Sequence, residues 1–446
     1  MTTHLRKISR FSLIAGLLLL STGLIIAQEQ KDSVHINLQK AIEIGLSESP
    51  SIRIAGRDIQ IKQEYKKEQI VSLFPNVSLS GSYQYTLLKQ SMAMSMGGQD
   101  MNIKVGKDHN YSVGASLSLP VIAPALWTSL KLSQMDIELA MESARSSKLE
   151  LVNQIKQAYY TYLVAKLGHL VLQKSYENTQ ANNDLVTKQY NQGLVSDFEK
   201  LRSDVALQNL RPDVTSAAKA TTLAYMRLKI ILGMDVNEPV IFDGELYDYE
   251  EEILNSFVPH LDQISLDNNS SLRQLDLGIE ELQQSKKIIK SSACPNLAFT
   301  GSLMYNGMGD TGGEFNNFPY SVIGLGLSVP IVSWAATSYQ LKQANLNIQN
   351  MEDQRLDVER NLRLGAQSYL NDMQQSLEDL ASDKETMQQA EKTHEIAQKQ
   401  YEVGLNTWID LNAAELMLTT TRLTYCQSLF NFLTAKASLD ALIGNE

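Results

Sequence analysis

The chain has 446 residues, of which 39 are basic and 50 acidic, giving a formal net charge of −11. This negative balance disfavours nucleic acid as a partner. Residues 1–27 place Arg6, Lys7 and Arg10 ahead of an apolar run that ends at Ala27, which is the pattern of a secretory signal peptide. Without these residues the net charge is −14 and no run of 18 apolar residues remains, so no transmembrane helix is expected.

The rest of the chain contains two copies of one unit. Phe74–Tyr83 (FPNVSLSGSY) aligns with Cys294–Leu303 (CPNLAFTGSL) at an offset of 220. The motif Tyr-x-x-Gly-Leu occurs at 190–194 and again at 401–405, an offset of 211. We therefore divide the chain into an N-terminal segment 28–50, a first repeat 51–233, a linker 234–268 and a second repeat 269–446.

Each repeat is predicted to contain two strands, at 76–85 and 111–120 and again at 296–305 and 320–330. Apolar and small polar residues alternate in them, which is typical of a strand between lipid and water. A strand half-buried in a soluble sheet is the alternative for any one of them, but four such strands in an exported chain favour the membrane. The alternation changes phase between Val322 and Ile323, which predicts a β-bulge.

Long helices are predicted after the strands. Leu130–Tyr190 contains no proline and one glycine, which favours a helix of about 61 residues, roughly 90 Å long. Apolar seams in this segment and in Leu411–Leu442 repeat every 3.5 residues, which indicates helices packed side by side as coiled coils. Gly193 and Gly404 are expected to end the helices at tight reversals, since glycine tolerates a left-handed backbone.

Four strands cannot close a barrel, and an open sheet edge is not tolerated in lipid. Three copies of the chain would give 12 strands and a water-filled interior, whereas 8 strands would enclose only side chains. Helices of this length must then stand in the periplasm. The predicted fold class is a mixed α/β membrane protein with two tandem repeats per chain: a trimeric, 12-stranded transmembrane β-barrel continued by a long α-helical barrel.

The sequence resembles the TolC-type outer membrane factors, the exit ducts of efflux pumps and type I secretion systems. The resemblance covers the chain after residue 27 and rests on the tandem repeat, the Tyr-x-x-Gly turns and prolines at strand boundaries: Pro75, Pro120, Pro295 and Pro330. It implies a homotrimer in the outer membrane of a Gram-negative cell, in contact with outer-membrane lipid and extending into the periplasm. Its equatorial region would comprise 28–50, 234–268 and the C-terminus. Implied partners are a periplasmic adaptor (membrane fusion) protein and an inner-membrane transporter of RND, ABC or MFS type.

In that family the Tyr-x-x-Gly turns form the periplasmic tip, where inward-leaning coiled coils close the pore. The resemblance implies that Tyr190 and Gly193 form one turn of this tip, and that Tyr401 and Gly404 form the other. It also implies that Tyr401 occupies the position of a tyrosine that holds the inner coiled coil.

Four more residues near the turns are implied to form the aperture. Glu199 has the position of an acidic latch partner, and Asp410 that of an acidic ring in the constriction; a solvated helix face is the alternative for both. The sequence departs from the family at Asn406, where the best-studied member has a basic latch residue, and at Ala413, a second acidic ring position. Hydrogen bonding or packing is therefore expected to close this tip in place of a charge pair.

No catalytic chemistry is indicated. The six histidines lack paired metal-ligand spacing, and no glycine-rich phosphate loop, GxSxG or HExxH motif occurs. We therefore expect no enzyme activity and no cofactor. Two functions remain: a passive duct for a tripartite efflux pump or type I secretion system, opened at its periplasmic tip by its partners, or a non-conducting coiled-coil scaffold or adhesin. Serine-rich inner strand faces favour the duct.

Sulfur-containing residues give two smaller expectations. Met92, Met94 and Met96 alternate in a loop between the first two strands and are soft ligands suited to Cu(I), although a methionine-rich extracellular loop without metal is the favoured interpretation. Cys294 precedes a strand, while Cys426 lies roughly 33 Å along a helix from the second turn. The two thiols are therefore expected to be too far apart for a disulfide.

Overall fold

The computed structural model describes residues 34–96, 99–331 and 334–445. The predicted signal peptide, 1–27, lies outside the described residues. The described chain is mostly helical, with smaller amounts of sheet. None of its helices combines the length and the apolar character needed to cross a membrane.

The helices form two matched sets. In chain order they are α1 (Leu38–Glu48), α2 (Pro50–Val71), α3 (Pro124–Asn191), α4 (Asp197–Ile231), α5 (Glu250–Leu254), α6 (Ser270–Ser292), α7 (Trp334–Glu402) and α8 (Trp408–Ile443). Helices α2, α3 and α4 contain 22, 68 and 35 residues, and α6, α7 and α8 contain 23, 69 and 36. Corresponding helices of the two sets agree in length to within one residue, so the structure contains the same repeat as the sequence. Helix α3 begins at Pro124, six residues before the predicted start, because proline is favourable in the first helical turn.

The strands form one large and two small sheets. In chain order they are β1 (Val34–Ile36), β2 (Asn76–Tyr85), β3 (Gln90–Met96), β4 (Gln99–Val105), β5 (His109–Ile122), β6 (Val240–Phe242), β7 (Asn296–Thr311) and β8 (Glu314–Ser328). The large sheet is antiparallel in the order β2-β5-β7-β8, while β1 pairs in parallel with β6 and β3 pairs antiparallel with β4. The two edge strands of the large sheet, β2 and β8, have no further neighbour within the described chain.

The strand boundaries differ from the prediction in several places. Pro75 and Pro295 immediately precede β2 and β7, whereas Pro120 lies inside β5 opposite Ala298, next to a register shift. Strand β8 begins at residue 314 instead of 320 and ends before Pro330. The hydrogen-bonded ladder thus continues past the segments whose side chains alternate clearly, because backbone pairing does not require alternation.

A hairpin of β3 and β4 occupies the segment predicted as a loop between β2 and β5. The offset between the repeats falls from 220 to 209 across this segment, so the hairpin is an insertion specific to the first repeat. Met92, Met94 and Met96 lie in β3, with Met94 opposite Met101 in the backbone register.

One face of the large sheet is apolar across all four strands. The registers align Val77 with Leu117, Leu119 with Phe299, and Phe299 with Leu325. The opposite face is rich in serine, threonine and glycine: Ser78, Ser116, Ser302, Thr300, Gly324 and Gly326. The apolar side chains are largely exposed in the single chain, with Leu79 at 80% and Ile323 at 79%.

The bulge predicted between Val322 and Ile323 is wrong. Val322 pairs with Ser302 and Ile323 with Gly301, so the ladder is continuous there. The register shift in this strand pair lies instead between Met308 and Thr311. The change of phase has a different cause, because Ser321 puts a polar residue on the apolar face and Val322 puts an apolar residue on the polar face in the middle of β8.

The helices are arranged around α3 and α7, each roughly 100 Å long. On the side of the large sheet, α3 packs between α2 and α6, and α6 packs against α7. On the side of the turns, α3 packs between α4 and α8, and α8 packs against α7. The result is two successive four-helix layers that share α3 and α7.

The main hydrophobic core lies halfway along the long helices, where α1, α3, α4, α8 and the β1–β6 pair meet. Its largest buried side chains include Tyr159, Leu228, Phe242 and Phe432. A segment of the linker, residues 246–254, which we name the collar, packs against this core. Its Glu250 forms an ion pair with Lys384 of α7 and its Glu252 with Lys436 of α8, while Tyr247 stacks on Tyr425 of α8.

The two cysteines are unpaired, which confirms the prediction that they form no disulfide. Cys294 is exposed just before β7, and Cys426 is buried in α8. Burial raises the pKa of the Cys426 thiol to about 11, so this side chain stays protonated at neutral pH.

Both helical reversals end in a glycine with a left-handed backbone. Gly193 has φ of 74° and Gly404 has φ of 75°. In each turn the following leucine N–H donates to a carbonyl five residues back: Leu194 to Gln189 at 2.9 Å and Leu405 to Gln400 at 2.8 Å. These bonds satisfy carbonyl groups that the helix end would leave unpaired.

Replacement of Gly404 tests this backbone requirement. A Cβ atom at this position meets no atom within 4 Å, so the expected cost comes from the backbone conformation alone. We expect Gly404→Val to destabilise the turn by about 1–2 kcal/mol, and Gly404→Asn by less, because asparagine tolerates the left-handed region. Thermal unfolding of the detergent-solubilised protein measures this order, and equal midpoints for the two variants would contradict it.

Substitution in the central core gives a second prediction. Phe432 is fully buried, so Phe432→Ala is expected to lower the free energy of unfolding by about 3–5 kcal/mol. Phe257 is 76% exposed, and Phe257→Ala is expected to change it by less than about 0.5 kcal/mol. Urea denaturation of both variants makes the comparison, and similar losses would mean that the core is not where the buried area places it.

Candidate functional site

The return helices α4 and α8 begin with equivalent caps. Ser196 accepts a hydrogen bond from the backbone N–H of Glu199 at 3.2 Å, and Thr407 accepts one from the N–H of Asp410 at 3.3 Å. The hydroxyl of Thr407 also donates to Asp410 Oδ2 at 2.6 Å. Glu199 and Asp410 are therefore matched acidic residues in the first turn, where a carboxylate also interacts favourably with the helix dipole.

Helices α3 and α4 form a first helical hairpin, and α7 and α8 form a second. A small apolar cluster joins the two helical hairpins next to the turns. Its buried members are Val186, Ala397, Tyr401, Trp408, Leu411 and Ala414. The Tyr401 hydroxyl donates to Gln189 Oε1 at 3.3 Å, which links α7 to α3. Burial and the nearby charge of Glu199 raise the pKa of Tyr401 to about 12, so this phenol remains a neutral donor.

The other predicted aperture residues lie at the surface of the second hairpin. Asp410 and Ala413 are exposed on the first turns of α8, and Asn406 is half-buried in the turn, where its side chain accepts from the N–H of Thr407 at 2.9 Å. Within the described part of the chain neither Glu199 nor Asp410 forms an ion pair with a basic side chain. Tyr190, the counterpart of Tyr401, is 39% exposed at the end of α3.

Sequence reasoning missed two residues that matter at the turns. Trp408, at the first position of α8, is 5% exposed and supplies the largest side chain of the cluster. Gln189 provides the acceptor for Tyr401. A large aromatic residue just after a polar cap is a sequence signal for such packing, whereas nothing in the sequence distinguishes Gln189 from other surface glutamines of α3.

Exposed apolar side chains follow both return helices away from the turns. The first stripe consists of Leu194 in the turn and Phe198, Leu201 and Val205 on α4, and the second of Leu405 in the turn and Ile409 and Leu416 on α8. The first stripe has steps of four, three and four residues, which is the spacing of a coiled-coil seam. The second has steps of four and seven, because half-buried Asn412 occupies the position equivalent to Leu201. Each stripe presents apolar surface that the single chain leaves uncovered.

Metal ligands of the common types do not cluster in the described residues, since no group of three or more histidine, cysteine, aspartate or glutamate side chains could hold a metal ion. Methionine is not one of these ligand types. The residues of the predicted methionine site, Met92, Met94 and Met96, lie in β3.

Solved structures of outer membrane proteins have a similar fold. The chain is similar in structure to the outer membrane protein VceC from Vibrio cholerae (TM-score 0.69, 15% identity, 92% of this chain and 96% of the other). It is also similar to the CmeC outer membrane channel from Campylobacter jejuni (TM-score 0.71, 14% identity, 91% and 85%) and to the open state of the MtrE outer membrane channel from Neisseria gonorrhoeae (TM-score 0.68, 16% identity, 92% and 89%). No curated protein sequence matches the chain.

The family comparison covers most of the sequence. The model for the outer membrane efflux proteins matches residues 41–234 and 261–445, so that both repeats are included and most of the linker is not. The shared fold of the solved channels agrees with this match. The chain belongs to the outer membrane efflux protein family, whose members are outer-membrane channels that extend into the periplasm, and this confirms the resemblance that the repeat and the turns indicate.

Proposed function

We propose that the protein is a passive, non-enzymatic, homotrimeric exit duct for a tripartite efflux pump or type I secretion system. The observation that carries the proposal is the large sheet, with its single apolar face and its two edge strands, which have no further neighbour among the described residues. Three copies would pair β8 of one chain with β2 of the next and close a 12-stranded barrel with no edge left in lipid. The serine- and glycine-rich face would then line a water-filled interior.

The helices supply the second half of the proposal. Helices α3 and α7 are far longer than one helical layer of a globular domain requires, and three copies of their two layers would continue the duct as an α-helical barrel. The apolar stripes on α4 and the second hairpin offer coiled-coil surface for a periplasmic adaptor (membrane fusion) protein. The driving energy would come from an inner-membrane transporter of RND, ABC or MFS type.

The turns are proposed as the closed end of this duct. Tyr401 would hold the inner coiled coil through Gln189 and the apolar cluster, while Asn406, Asp410 and Ala413 would surround the aperture. Glu199 would act through its charge near Tyr401 and not through an ion pair. Because Asn406, and not a basic residue, occupies the latch position, opening would have to separate packed side chains and a hydrogen bond.

A pair of arginine substitutions tests the orientation of the sheet. Leu325 lies on the apolar face opposite Phe299, and Thr300 is the next residue along on the other face. Leu325→Arg is expected to destabilise the membrane-inserted protein by about 2–4 kcal/mol, and Thr300→Arg by much less, because only the first would face lipid. Trimer yield after refolding into lipid vesicles, read as heat-modifiable migration on a gel, measures the difference. The reverse order would invert the assignment of the faces.

Recordings in planar bilayers test both the duct and its aperture. Three copies of Asp410 near the axis would concentrate negative charge, so we expect cation selectivity and block by divalent or trivalent cations from the periplasmic side, weaker at high salt. Asp410→Asn is expected to relieve selectivity and block about severalfold while trimer stability stays nearly unchanged. Absence of any conductance would favour a scaffold, and unchanged selectivity in the variant would remove Asp410 from the pore.

A further inference from the structure

Two carboxyl groups face each other between α3 and α6. Glu281 of α6 lies within hydrogen-bonding reach of Asp136 of α3, and both residues are about 17 Å from the helix ends nearest the large sheet. Glu281 Oε1 is buried and has no hydrogen-bond partner among the described residues. Because an ionised carboxylate can only accept, the two groups form a hydrogen bond only when one of them carries a proton.

The surroundings of this carboxyl pair are mostly apolar. Both side chains line an open cavity between α3, α6 and α7, whose apolar wall consists of Leu132, Leu139, Leu275, Leu282, Met351 and Val358. The other polar residues that line the cavity, Ser271, Gln274 and Ser285, are neutral. Removal from water beside such a wall makes an ionised carboxylate costly, and a second negative charge next to it adds to this cost.

Charged side chains on the neighbouring helices do not neutralise the pair. On α2, Asp58 and Lys62 line an adjacent cavity together with the α3 member of the pair, and the positive charge of Lys62 offsets the repulsion only in part. On α7, Arg355 forms ion pairs with Asp276 and Glu359. The two carboxyl groups therefore depend on a proton to remain in contact.

The pKa of Glu281 differs between the packed and the separated helices. Burial, together with the charge and the hydrogen bond of Asp136, raises the pKa of Glu281 from its ordinary value of 4.5 to about 7. When α6 separates from α3, water reaches the carboxyl group and Asp136 moves away, so the pKa returns towards 4.5. The contact is therefore strongest below about pH 4.5, weakens as the pH rises, and is weakest above about pH 7.

We propose that Glu281 and Asp136 form a proton-dependent contact that fastens α6 to α3. At acidic pH the pair shares one proton and holds the two helices together by a hydrogen bond. At alkaline pH this proton is lost, two carboxylates repel each other beside an apolar cavity, and α6 loosens. Because α6 ends at Ser292 and β7 begins at Asn296, the contact sets how firmly β7 is attached to the helical layer. It lies within a single chain and so exists whether or not the protein forms a duct.

Amide hydrogen exchange of the intact protein in detergent tests the contact. The rates for α6, each divided by the intrinsic chemical rate at the same pH, are expected to rise about tenfold between about pH 5 and pH 7.5 and then to level off. Helix α2 is the internal reference, because Ile61 occupies the position equivalent to Glu281 at the repeat offset of 220, and its rates are not expected to rise. Rates for α6 that stay constant or fall over this range would overturn the proposal.

Three variants assign the effect to the pair. Glu281→Gln, whose amide donates to Asp136 at every pH, is expected to keep α6 as protected at about pH 7.5 as at about pH 5. Asp136→Asn removes the second charge and is expected to reduce the rise to about threefold. Glu280→Gln changes the exposed acid next to the pair and is expected to keep the unmodified profile. A Glu281→Gln variant that keeps the rise, or that loses protection at the higher pH, would contradict the contact.

Infrared spectroscopy follows the shared proton directly. The C=O stretching band of the protonated carboxyl group is expected to disappear as the pH passes about 7 in the unmodified protein and in Glu280→Gln, and to be missing at every pH in Glu281→Gln. The same band in Glu281→Gln would assign it to another residue and remove the contact. Neither measurement needs conductance, so a failure of the duct in bilayer recordings and a failure of this contact are separate outcomes.

Discussion

The structure depends on lateral packing between helices, because a single long helix buries no hydrophobic core by itself. Helices α3 and α7 are stable only where neighbouring helices cover their apolar stripes, and the neighbours change halfway along, from α2 and α6 to α4 and α8. The buried cluster around Tyr159, Phe242 and Phe432 lies at this change of partners. Turns, caps and the collar all serve to keep these two layers in register.

Features set by local backbone chemistry could be predicted from the sequence, and those set by partners distant in the chain could not. The two reversals followed from Tyr-x-x-Gly, because the positive φ of Gly404 is a property of the residue itself. The role of Pro120 depended on pairing with β7 and was assigned wrongly. The hairpin of β3 and β4 was missed because its composition resembles a loop, although the change of offset between the repeats marked an insertion there.

The candidate site divides in the same way. Asp410 was singled out by resemblance as an aperture residue, and its local partner, the Thr407 hydroxyl, follows from its place three residues after a cap. The contact between Tyr401 and Gln189 joins residues 212 positions apart, and no pattern in either helix predicts it. Duplication has been informative where single motifs were weak, because two copies of one unit reveal both what was kept and what was replaced.

The collar gives the second hairpin the mechanics of a lever. Glu250 holds α7 at Lys384, about 30 Å along the helix from the turn at Gly404, and Glu252 holds α8 at Lys436, about 48 Å from the same turn. Once the Tyr401–Gln189 hydrogen bond and the apolar cluster have separated, a rotation of about 10° at Lys384 displaces the turn by about 5 Å. Small forces applied at the tip therefore act with the greatest mechanical advantage, and the ion pairs of Lys384 and Lys436 are the fulcrum that must bear them.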